Sequence, residues 1–322
     1  MAPLVLKFVV TAAVILLAML AGYICRRLAW FKEEVGESLM TFVAVFGYPA
    51  AGLLTIWGTP LRGSDIMLPI GCVAHVIVMT FLSLALAPLV TRDRAEVGLL
   101  AMTGSIGNNG FTMGAFILYL LHGEQAMGLS NIYLIMFMPV AVLLMYPIAR
   151  HHASSGTKGS LLDLLRSSLL DWRAIGLPIS LAAIGLSVAG VPRPVQFAQW
   201  HLVDILVYTI TPVAFFSIGL RFHGSKILPL WRQIVWLAVV RFPLGAAAGL
   251  ALAWLIGFTP WAFEGLRWDV FTFQSFVPTA VTGVAIANMF GLKPREASVL
   301  FVSNTILYLA AVLPFVLHWF SP

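Results

Sequence analysis

Apolar residues run along the chain in long stretches, and polar residues interrupt them in short clusters. The stretches cover 3–25, 39–58, 66–90, 97–121, 126–149, 174–191, 200–220, 228–257, 268–290 and 297–320. A helix needs about 20 apolar residues to cross the hydrocarbon core of a bilayer. The pattern therefore predicts an all-α membrane protein with about ten transmembrane helices. The first stretch is too long and too poorly flanked for a cleaved signal peptide and is read as a retained helix.

The halves are related. The longest loop divides the chain into a first five-helix repeat (1–150), a linker (151–173) and a second five-helix repeat (174–322). An odd number of spans forces the second repeat to enter the membrane inverted. Landmarks recur in order: Tyr48-Pro49 in span two against Thr211-Pro212 in span seven, and 104–110 in span four against 277–283 in span nine. Within the linker, 160–172 places its leucines on one helical face, which predicts a short helix on the membrane surface.

Composition agrees with a lipid solvent. The chain is 60% hydrophobic and 10% charged, with a mean hydropathy of +0.96; a soluble domain carries about 25% charged residues. Most Lys and Arg follow odd-numbered spans, while the even-numbered loops hold only Arg62, Arg193 and Arg267. Cytoplasmic loops carry the basic excess, so both termini are expected outside a cell (inner) membrane. The formal charge of +6 is spread over span ends, which argues against a nucleic-acid partner. Arg241 looks deep in span eight, but that span is about 30 residues long, more than a crossing needs, so it is expected to snorkel to the interface. Cys25 and Cys72 sit toward opposite faces and the histidines lack zinc-like spacing, so neither a disulfide, a metal nor a cofactor is expected.

The chemistry concentrates in two places. In span four, Gly107 and Gly110 bracket Asn108 and Asn109. These are poor helix formers, and an unwound backbone in lipid survives only where protein or a water-filled cavity satisfies it. A break would turn the N–H groups of the following half-helix toward an anion. The bland reading is a Gly110/Gly114 packing pair. In span nine, Pro278 removes a backbone hydrogen bond and is followed by Thr279, Thr282 and Gly283. The bland reading there is an ordinary kink. Matching breaks in inverted repeats point to a midplane binding site of a transporter. Gly107, Gly110, Pro278 and Gly283 are the expected helix-break residues. Asn108, Asn109, Gly110, Pro278, Thr279 and Thr282 are the expected substrate contacts, with Asn131 and Asn304 lining the same cavity or acting as interhelical glue. His75 reads as a hydrogen-bonded structural histidine, and 245–249 as a helix-packing face. No carboxylate pair, nucleophile–base arrangement or Walker A sequence falls in the spans, which argues against an enzyme or an ATP-driven pump.

At these residues the chain resembles the auxin efflux carrier family, whose bacterial members include malonate and malate carriers. The resemblance rests on Gly107-Asn108-Asn109-Gly110-Phe111, Thr211-Pro212-Val213-Ala214, Pro278-Thr279-Ala280-Val281 and Phe290-Gly291-Leu292. The chain departs from the family's pattern in having no proline at 111–114 and Thr282 where the family usually has Asn. The resemblance implies a homodimer in the bilayer, in which helices one, two, six and seven form a scaffold. Helices three to five and eight to ten form a mobile transport domain. Broken helices four and nine cross near the midplane and hold a small organic anion, a mono- or dicarboxylate, moved by an elevator-like shift. The related bile-acid/sodium symporters offer a sodium-coupled alternative, but their acidic motif in helix nine is absent. A ligand-binding membrane sensor is the other alternative.

Overall fold

The structure, a computed structural model, describes residues 2–153, 175–222 and 227–320. The expected surface helix at 160–172 lies outside the described residues. Helices make up most of the described residues, and no β-strand occurs among them. Twelve helical segments carry the argument, and the first six are α1 (Ala2–Arg27), α2 (Glu34–Trp57), α3 (Gly63–Leu89), α4 (Arg94–Ser105), α5 (Gly114–His122) and α6 (Glu124–His152). They are followed by α7 (Gly176–Val188), α8 (Leu202–Arg221), α9 (Leu228–Ile256), α10 (Leu266–Ser275), α11 (Val281–Met289) and α12 (Pro294–Phe320). Among the described residues, seven helices are long and apolar enough to cross a membrane, and α7 is a shorter apolar one. The fourth and ninth apolar stretches are each split, into α4 with α5 and α10 with α11.

Prolines shape the long helices. Wide π-turns occupy 43–47, 141–145, 240–244 and 308–312. Pro49, Pro147 and Pro314 follow three of them by two residues, and Pro243 lies within the fourth. A proline ring clashes with the carbonyl four residues back and lacks an N–H, so the preceding turn widens.

The helices pack as two groups. α1 lies along α8, α2 packs on α7, and α8 also meets α2. The second group holds α3 to α6 and α9 to α12, and α2 meets it on α6. Small residues set the close approaches. A Cβ at Gly22 would lie 2.2 Å from the Phe216 carbonyl oxygen, and one at Gly128 would lie 2.1 Å from Thr59 Oγ1. Gly245 and Gly249 let α9 reach the Ser275 end of α10, so 245–249 is the packing face expected from its composition. His75, buried on α3, meets the Gly245 carbonyl at 3.2 Å and has a structural role.

Polar groups tie the ends. At the basic end, Lys293 Nζ lies 3.2 Å from Asp93 and 3.4 Å from Glu96. Asp93 caps α4 by accepting from the Glu96 N–H at 2.9 Å. That bond first, and then Lys293, hold its carboxyl below the usual aspartate range. At the opposite end, Arg267 donates to Asp65 in a buried pair, with Nη2 to Oδ2 at 2.9 Å.

Candidate functional site

The two breaks meet. Between α4 and α5 the chain is unwound from Ile106 to Met113, and between α10 and α11 from Phe276 to Ala280. Gly107 and Thr279 face each other as one antiparallel bridge. The Asn108 N–H donates to the Pro278 carbonyl at 2.6 Å, and the Ala280 N–H donates to the Ile106 carbonyl at 3.0 Å. Each unwound segment thus satisfies part of the other's backbone, as an apolar surrounding requires. Gly107 is obligatory here. A Cβ would stand 2.5 Å from Arg241 Nη2 and 2.7 Å from Val277 Cγ2.

Side chains complete the crossing. The missing N–H of Pro278 frees the Gln274 carbonyl, one turn earlier, and Asn109 Nδ2 donates to it. The same amide donates to Gln274 Oε1 at 2.8 Å, and Gln274 Nε2 donates back to the Asn109 carbonyl at 2.9 Å. Thr279 Oγ1 donates to the Thr103 carbonyl at 2.6 Å, near the end of α4. Asn304 Oδ1, on α12, accepts from the Thr279 N–H at 2.8 Å. Asn109, Thr279 and Asn304 are therefore committed to holding the breaks.

Arg241 corrects the sequence reading. It does not snorkel; it is fully buried on the π-turn of α9. Its Nη2 donates to the Val277 carbonyl at 2.9 Å, and its Nη1 donates to the Gly104 carbonyl at 3.2 Å. One guanidinium thus bridges both breaks from behind. Among the described residues, no carboxylate lies within ion-pair distance of it. Gly283 is the second correction. It lies inside α11, not in the break, and lets that helix approach the Met102 carbonyl, 3.2 Å from a built Cβ.

In front of the crossing lies a cavity of about 600 Å³. Gly107, Asn108, Asn109, Gly110 and Thr282 form its polar end, and Asn131 and Ser180 lie on its walls. Tyr48, Phe137, Met138, Tyr146 and Met289 give it an apolar body. Tyr48 stacks on Phe111 at 5.7 Å between ring centres, joining α2 to the break. Asn131 donates to Thr55 Oγ1 at 3.0 Å, so its amide is partly engaged. Pro278, Thr279 and Asn304 do not line the cavity. Asn108 differs from its neighbour. Its Oδ1 accepts from Thr112, but its Nδ2 is buried without a partner at the cavity wall. The Val281 and Thr282 N–H groups, opening α11 on the same wall, also have no acceptor among the described residues.

Residues 7–316 match a family model described as membrane transport protein, the group of auxin efflux carrier-type transporters. The chain belongs to this family. No curated protein matches it. The chain is accordingly a multi-pass membrane transport protein, and the crossing with its cavity is the transporter's candidate site. Sequence reasoning missed two members, Arg241 and Gln274. The signal for Gln274 was its position four residues before Pro278, which makes its own backbone carbonyl the one that the proline frees.

Proposed function

We propose that this transporter carries a small organic anion, a mono- or dicarboxylate, through the cavity at the crossing. The observation that carries this reading is the unpartnered Asn108 Nδ2. A buried N–H donor without an acceptor is costly, and a carboxylate oxygen supplies one. The free N–H groups that open α11 present the positive end of a helix dipole to the same ligand. Arg241, one backbone layer behind, adds a fixed positive charge with no carboxylate in ion-pair distance among the described residues. No Lys or Arg lines the cavity body. That arrangement favours an anion with one carboxylate at the crossing and an apolar remainder among Tyr48, Phe137 and Met289.

The transport cycle is read as an elevator-like shift of the group α3–α6 and α9–α12 against α1, α2, α7 and α8. An inverted second repeat is supported by the paired landmarks. Breaks recur at 106–113 and 276–280, and π-turns followed by proline recur at 141–145 and 308–312. Uptake of labelled mono- and dicarboxylates into proteoliposomes tests the reading. Saturable uptake of an acid, lost in Asn108→Ala protein that still inserts and purifies normally, supports it. Normal uptake by Asn108→Ala removes Asn108 from the site, and no uptake of any acid removes the carboxylate assignment.

A further inference from the structure

One end of the molecule carries side-chain ties that run between the two helix groups. Arg193, in the segment between α7 and α8, donates from Nη1 to Glu124 Oε2 at 2.6 Å at the start of α6, and to the Leu54 carbonyl at 3.0 Å on α2. Tyr119, near the end of α5, donates its hydroxyl to Asp204 on the first turn of α8. Below them, Asn131 on α6 reaches Thr55 on α2, and Gly128 allows the close approach. The cavity runs the other way, from the crossing toward Tyr146, Gly176 and Met289.

We propose that Arg193–Glu124 and Tyr119–Asp204 form a releasable latch that closes the cavity at the end opposite the basic loops. Transport requires the latch to open. This rests on the carrier reading above, since a latch between groups has work only if the groups move. Exposure separates the latch from a structural staple. Arg267 and Asp65, both within one group, are each 5% exposed, and such a pair does not open without a large desolvation penalty. Arg193 and Glu124 are 17% and 38% exposed, so water replaces the lost bond cheaply. Asp204 is likewise open, and the ring of His201 also reaches it at 3.2 Å. Burying one pair within a group and exposing the other between groups is what a moving boundary requires.

The test needs no substrate. Ile135 lines the cavity on α6, and Ile135→Cys in a chain carrying Cys25→Ser and Cys72→Ser gives one reporter thiol. A membrane-impermeant maleimide is added to either side of sealed vesicles. From the latch side, Glu124→Ala and, separately, Tyr119→Phe should each speed labelling by about threefold to tenfold, as loss of one exposed tie shifts a two-state population. Labelling from the basic side should not rise. Unchanged labelling from the latch side in both variants overturns the latch. Faster labelling with no acid transported by any protein leaves the latch standing and sinks the anion assignment alone.

Discussion

At Gly107 and Gly110 the same residue type stands in two different surroundings, three positions apart. A methyl group at Gly107 meets the Arg241 guanidinium and Val277, whereas one at Gly110 meets only Leu134, at 3.8 Å. Gly107→Ala should therefore abolish transport and lower thermal stability, while Gly110→Ala should transport within about twofold of the parent, since a surface-like change shifts energies by no more than a few tenths of a kcal/mol. Loss of uptake in Gly110→Ala would make that glycine a ligand contact or a moving hinge. Gln274 offers a complementary case. Gln274→Leu removes the side-chain donor to the Asn109 carbonyl, which keeps the Ala115 N–H, and strips one acceptor from the Asn109 amide, so it should destabilise by about 1 kcal/mol, read as a lower melting temperature in detergent. An unchanged melting temperature would mean the amide pair is dispensable. The Gly-Asn-Asn-Gly cluster was legible because two asparagines inside an apolar stretch need polar partners, and glycines beside them weaken the helix. The division of labour was not. Whether Asn108 or Asn109 keeps a free donor depends on Gln274, 165 positions away, and on a carbonyl that only Pro278 frees.

Helix ends and bulges decide what the longer segments can do. Apolar length located the helical stretches to within a few residues, and the Gly, Asn and Pro positions within two of them marked the breaks that the structure brings together. Arg241 was misread because span length alone does not determine where its charged group goes. The π-turn at 240–244, around Pro243, carries the side chain inward to two carbonyls that the breaks leave open. Arg241→Gln should abolish uptake, and Arg241→Lys should restore little, because one ammonium lacks the planar fork that reaches both carbonyls. Full activity in Arg241→Lys would show that charge alone suffices. The cap of α4 gives a pH test. The Asp93 carboxyl is held below its ordinary range chiefly by the Glu96 N–H. A depressed folded-state value means its stabilisation is present above the ordinary aspartate range of about 4 and is lost as pH falls through the lower native value. Asp93→Asn keeps an acceptor for the cap and should show a shallower loss of thermal stability on acidification than the parent. Parallel curves would separate Asp93 from the acid response.

For the whole molecule, the deciding quantity is the charge moved per cycle. Among the described residues no acidic one lines the cavity, and Arg241 beside the crossing is anchored to the carbonyls of both breaks. If the group holding Arg241 shifts with its cargo, the loaded group carries the guanidinium and the carboxylate together and is close to neutral. The empty group then returns with the guanidinium alone. If Arg241 stays at a fixed depth, the loaded step itself moves the anion's charge. Both routes sum to one negative charge crossing per monocarboxylate, because no titratable acid at the site supplies a proton to cancel it. One elementary charge moving through the membrane potential is worth about 2.3 kcal/mol per 100 mV, enough to change accumulation by more than tenfold. Proteoliposomes clamped with a potassium gradient and valinomycin should therefore accumulate the acid when the interior is positive and exclude it when the interior is negative, with no response to sodium. Accumulation that ignores the potential and follows a proton gradient would place a titrating group in the cycle. The half-buried Asp269 and His122, at the ends of α10 and α5, would then be the first residues to replace.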